Sequence, residues 1–169
     1  MRRLTATLAL VSVIALAGEP TFGQAARTTG PGVADVERLQ VALAQEQKAE
    51  FLYLLMVGSG RVQSSYPTML AIHDAHLKAV TGLTETITRL GAAPVRPRTN
   101  NDYVEEAHTM SATSEADVVD LARSLERDGA DLYARLGRQL QDPVLVRRAA
   151  DLRSDDEAHG QALARAFSG

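Results

Sequence analysis

The 169-residue chain has no cysteine and no tryptophan, and only 4% of it is aromatic. Without cysteine there is no disulfide, no thiolate-ligated zinc, no iron–sulfur centre and no thiol nucleophile. Scarce aromatics beside abundant alanine, leucine and arginine favour helix over sheet. A formal net charge of -3 gives no electrostatic basis for binding nucleic acid. No glycine-rich phosphate loop occurs, and no nucleophile–histidine–acid arrangement stands out. The apolar run from Leu4 to Ala17 falls short of the ~20 residues needed to span a bilayer.

That run has a different reading. It follows the basic start Met1-Arg2-Arg3 and precedes small residues that offer cleavage after Ala17 or after Ala25. This is the pattern of a secretory signal peptide, expected over residues 1–25. A disordered mature N-terminus is expected over 26–34, and a folded domain over 35–167. The mature protein is then exported, to a periplasm or beyond the cell, with no stable membrane insertion.

Four amphipathic helices are predicted. The first starts near Asp35 as N-cap and stops at Gly58-Ser59-Gly60. The second has Pro67 in its first turn and ends at Gly91. The third starts near Ser114, with Asp117 as capping partner, and the fourth opens on Asp142-Pro143. The first and second helices are joined by a short link, and so are the third and fourth. The middle link, Ala92 to Thr113, is long enough to run the length of a helix. Short, long, short is the wiring of an all-α antiparallel four-helix bundle with one long crossover between helices two and three. Tyr103 to Met110 is expected to form a short helix on the way.

Each predicted apolar stripe is interrupted by polar groups near its middle. In the first helix, Glu46 and Glu50 share a face with Leu39, Leu43, Tyr53 and Val57. The second reads Met69, His73, His76, Val80, Leu83, Ile87, Leu90. The third reads Val119, Ala122, Glu126, Gly129, Tyr133, Leu136, Leu140. The fourth reads Leu145, Ala149, Leu152, Asp156, His159, Leu163, Ala166. The two hairpins also repeat one another. Setting Glu46 on Glu126 sets Ala42 on Ala122, Leu52 on Leu132 and Tyr53 on Tyr133; setting His76 on His159 sets Ala75 on Ala158.

Burying an ionised carboxylate is costly unless it is paired or coordinates a cation. Glu46, His73, His76, Glu126, Asp156 and His159 can reach one level of the bundle. Together they form a candidate set of metal ligands: oxygen donors suit hard divalent ions, and imidazole adds affinity for iron, manganese and zinc. Tyr53 and Tyr133 could hydrogen-bond these carboxylates from behind.

Glu46 with Ala49 and Tyr53, Glu126 with Tyr133, and the acidic run ending in His159 resemble the helices of rubrerythrins and other ferritin-like proteins. The resemblance covers about residues 35–167. It implies a ferritin-like bundle with a dinuclear iron or manganese site, reacting with oxygen or peroxide in oxidative stress or metal homeostasis. It also makes a homodimer plausible by analogy. Two positions depart from the pattern: His73 stands where the family has a glutamate, and Asp156 is one methylene shorter than the usual glutamate. Those family carboxylates bridge the two metals, which neutral imidazole cannot do in that way. One ion, two ions joined through Asp156 and solvent, or a metal-free bundle with a structural or interaction role all stay open. With no cysteine to build a rubredoxin-like centre, electrons are expected from the metal or an outside donor.

Overall fold

The computed structural model describes residues 31–98, 103 and 112–167. The expected signal peptide lies outside them, as does all but 31–34 of the expected disordered N-terminus. The described residues form four long helices: α1 (Pro31–Gly58), α2 (Tyr66–Arg89), α3 (Glu115–Gly137) and α4 (Pro143–Phe167). None is long and apolar enough to cross a membrane. The all-α bundle with short, long and short connections is as predicted. Of the expected short helix at Tyr103–Met110, only Tyr103 is described. It is helical and buried, with its ring centroid 5.0 Å from that of Phe51.

Local chemistry sets most of the helix ends. Ser114 and Asp117 close the predicted capping box at the start of α3. At the end of α2, Gly91 takes φ +82°, Ala92 N donates to Ile87 O and Gly91 N donates to Thr88 O. That is a Schellman ending, which needs the left-handed backbone that glycine adopts without strain. Asp142 caps α4 by accepting from Val144 N at 2.7 Å.

The first helix departs from expectation. It begins at Pro31, so Asp35 lies inside it rather than at its cap. Asp35 is buried and serves the other hairpin, accepting from Gln141 N and from Asp142 N (2.9 Å) in the α3–α4 turn. Glu115, in the first turn of α3, does the same for the α1–α2 connection. One of its oxygens accepts from Gln63 N, Ser64 Oγ, Ser65 N and Ser65 Oγ. These hydrogen bonds hold the Glu115 pKa down at about 2. Asp35 stands on Glu115 in the alignment that sets Glu46 on Glu126, so each hairpin clasps the turn of the other through an equivalent carboxylate.

Helix pairing follows from these contacts. Packing is densest within each hairpin, with α1 against α3 and α2 against α4 across the bundle. Asp35 meets residues 141 and 142, and Tyr53 meets Glu126, so α1 and α3 run antiparallel. The crossover leaves α2 and lies along α1: Gln40 exchanges hydrogen bonds with Ala93 O and Val95 N, both at 2.7 Å, and Gln47 donates to Val95 O.

The apolar interior has two parts. One is built around Leu39, Leu43, Leu83, Ile87, Leu136 and Leu152. The other is built around Leu52, Met56, Met69, Ile72, Val119 and Leu163. Between them lies a polar layer. The buried face of α2 is Met69, Ile72, His76, Ala79, Leu83 and Ile87. Ile72 and Ala79 thus replace His73 and Val80 of the predicted stripe, and Leu90 is exposed. Both patterns satisfy three- and four-residue helical spacing; packing against α1 selects the one that buries isoleucine and turns His73 aside.

Candidate metal centre

One carboxylate from each hairpin anchors the polar layer. Glu46 and Glu126 are each 2% exposed, so their charge must be met from within the protein. The bonds that meet it cross between hairpins. Tyr53 of α1 donates its hydroxyl to Glu126 Oε1 of α3 at 2.5 Å. Tyr133 of α3 donates to Glu46 Oε1 of α1. Each glutamate and the tyrosine seven residues later therefore form half of a reciprocal pair. Burial first, and the neighbouring carboxylate next, push both phenols well above their usual range, so they stay protonated donors.

His76 joins the two carboxylates. Its Nδ1 lies 2.8 Å from Glu46 Oε2 and its Nε2 lies 3.3 Å from Glu126 Oε1. Burial alone would lower its pKa, but the hydrogen bonds to Glu126 and Glu46 outweigh it and raise the pKa to about 10. On the opposite side, His159 Nδ1 lies 3.0 Å from Glu126 Oε2. Glu126 thus has three partners; although burial works against its charge, His159 and His76 hold its pKa down at about 2.

Asp156 differs from the rest. It is 4% exposed, and its carboxylate accepts no hydrogen bond from any described residue. Burial, followed by the charges of Glu46 and Glu126, pushes its pKa up to about 9. It has room only because residue 129 is glycine: a Cβ there would stand 2.4 Å from Asp156 Oδ2, well inside contact distance. Gly129 was read from sequence as one more small stripe residue. Its role as the space for Asp156 had no signal without the pairing of α3 and α4.

His76, Glu126, Asp156 and His159 each offer a ligand atom, and these four atoms lie within 4.8 Å of one another. Two imidazoles and two carboxylates so grouped fit a divalent ion such as iron, manganese or zinc. An unpartnered acid among them is what a cation would relieve. Glu46 lies behind this group, against His76 Nδ1 and the Tyr133 hydroxyl. His73 is turned away from it. Its Nδ1 lies 3.1 Å from Asp74, and its buried Nε2 lies 3.4 Å from Glu50, out of line for a hydrogen bond. Glu50, on the predicted stripe with Glu46, points to His73 rather than to the layer.

The layer is open on one side. A groove of about 820 Å³ between α3 and α4 reaches Glu126 and Asp156.

A ferritin-like domain family matches residues 34–169. The chain belongs to that ferritin-like family, in agreement with the bundle, its single long crossover and its polar layer. Curated proteins give no match to the chain.

Proposed function

We propose that this protein is an exported ferritin-like metal-binding protein that holds one divalent ion, iron by preference and manganese or zinc as alternatives. The observation that carries the reading is the convergence of His76, Glu126, Asp156 and His159, in which Asp156 accepts no hydrogen bond from a described residue. A single ion is favoured over two because Glu46 is engaged by His76 and Tyr133, while His73 faces Glu50 and Asp74. Export rests on the signal-peptide pattern of residues 1–25.

The chain's own residues divide the work. His76, through the nitrogen that faces Glu126, would hold the ion together with His159, Glu126 and Asp156. Glu46 fixes the His76 ring through Nδ1, an outer carboxylate that orients an imidazole and raises its basicity. Tyr53 and Tyr133 fix the two glutamates. The apolar clusters above and below close the layer at its two ends, while the groove between α3 and α4 leaves it open at the side. When bound, a redox-active ion supplies electron exchange with oxygen or peroxide, which is the oxidoreductase reading of the site.

A second reading has its own support. Glu46, Glu126, His76, His159 and both tyrosines satisfy one another by hydrogen bonds without a cation. A bundle stable in that form could serve as a structural or interaction module. Metal analysis after reconstitution with iron, manganese and zinc separates the two. One ion per chain is expected, and traces far below that stoichiometry for all three metals overturn the metal reading. If iron binds, ferrous oxidation by oxygen or peroxide no faster than that of free ferrous ion removes the oxidoreductase part.

A further inference from the structure

We infer that the groove between α3 and α4 is the route by which small hydrated cations and other small solutes reach the polar layer. Its use for metal rests on the reading above; its existence as a passage does not.

The groove is built by the second hairpin alone. Its floor holds Glu126 and Asp156, the two carboxylates of the four-residue group. Its wall is thin because Gly160 lies over Glu126: a Cβ at residue 160 would stand 3.8 Å from the Glu126 Cβ, in ordinary contact. Gly129 gives the Asp156 carboxylate its place at the floor. The corresponding positions of the first hairpin are Ala49 and Leu77, which carry side chains where the second hairpin has none.

Asp156 is the second, independent sign. A buried acid without a hydrogen-bond partner is costly in a closed core. It is tolerable where solvent or a solute can reach its oxygens, and Asp156 lines the groove. Glu46 does not line that groove and instead receives bonds from His76 and Tyr133. At the mouth, Arg123 is drawn to Asp120 and Arg127 to Ser124, partners on their own helix. Neither guanidinium is committed to the two carboxylates of the floor.

The test labels carboxyl groups of the full, metal-free protein with a water-soluble carbodiimide and a small amine, read by peptide mass spectrometry. Asp156 is expected to react and Glu46 to stay protected. Gly160→Phe fills the groove and should slow labelling of Asp156 by about tenfold or more, whereas Leu77→Phe on the first hairpin should leave it unchanged. Equal labelling of Asp156 and Glu46 in the wild type overturns the proposal, as does wild-type labelling of Asp156 in a folded Gly160→Phe. Gly160→Leu replaces Gly160→Phe if circular dichroism shows the latter unfolded.

Stopped-flow binding of Mn²⁺ or Co²⁺ then joins passage to function. Gly160→Phe should slow association while the Kd shifts by less than about threefold. Unchanged association rates in the variant overturn the groove as the metal's route. Absence of wild-type metal binding, with Asp156 still protected by Gly160→Phe, removes the metal reading and leaves the passage standing.

Discussion

The hairpins α1–α2 and α3–α4 are built to one plan and put to different uses. Each contributes a glutamate, a tyrosine seven residues on, a histidine in its second helix, and an acid near the start of its first helix that clasps the other hairpin. The difference lies three residues before each histidine. On α2 that residue is His73, turned out toward Glu50 and Asp74. On α4 it is Asp156, turned in beside Gly129. Sterics account for the second arrangement, because a short carboxylate fits against a helix that lacks a Cβ. The first hairpin has Ala49 in the equivalent place and closes its glutamate behind His76. A shared scaffold thus holds one half whose glutamate is bonded to His76 and Tyr133, and one open half with a spare acid.

If that contrast is right, substitutions at matching positions should behave unequally. The largest effect is expected at the ligand positions. Glu126→Ala should weaken metal binding by more than the ~10–100-fold typical of removing an outer partner, the loss expected for Glu46→Ala. His73→Ala should leave affinity nearly unchanged. Isothermal titration of the three variants checks the order, and equal losses for Glu46→Ala and His73→Ala would sink the outer-partner role of Glu46.

A smaller effect is expected for Gly129→Ala, whose methyl must displace the Asp156 carboxylate. Overpacking of this kind costs about 1–3 kcal/mol, and metal affinity should fall with it. At the matching position of the first hairpin, Ala49→Gly should cost only the ~1 kcal/mol of a glycine within a helix, with binding intact. Urea denaturation beside metal titration separates the two. A Gly129→Ala variant that binds as tightly as wild type would show that Asp156 does not need that space.

The gentlest probe is pH. Asp156 is raised to about 9 and His76 to about 10, so the folded metal-free protein holds protons that the unfolded chain has released. Its stability should therefore fall from about pH 4 upward through Asp156, and from about pH 6.5 to about 10 through His76 as well. The slope is at most about 1.4 kcal/mol per pH unit for each proton. Glu126, held at about 2, acts in the opposite direction, and its contribution is lost as pH falls from about 4.5 toward 2. Stability should peak in mildly acid solution, and Asp156→Asn should flatten the alkaline limb. Metal affinity should rise with pH, since loading the site displaces the same protons. An alkaline limb unchanged in Asp156→Asn would show that Asp156 is not the group responsible.

Much of this was legible in the residues. The helix boundaries followed from Ser114, Pro143 and Gly91, and the wiring followed from link lengths. The polar layer followed from acids and imidazoles interrupting apolar stripes, and the reciprocity of Glu46 and Tyr53 with Glu126 and Tyr133 was foreshadowed by their equal spacing. The carboxylate clasps went unseen, although the alignment that pairs the two glutamates also sets Asp35 on Glu115. An acid near a helix start reads naturally as a cap for its own helix, and only the antiparallel packing of α1 on α3 brings it to the far turn.

By itself, then, the sequence determined four helices, their order along the chain and the level at which polar groups interrupt the core. Those depend on period, capping and chain length, which are local properties. The rotation of each helix about its axis was decided only in the tertiary structure. Spacings of three and four residues leave neighbouring faces, about 100° apart, nearly equivalent, so His73 and Ile72 could exchange places until α1 packed against one of them. The same docking decided that Asp156 would find the gap left by Gly129. A missing methyl group has no consequence until another helix lies against it.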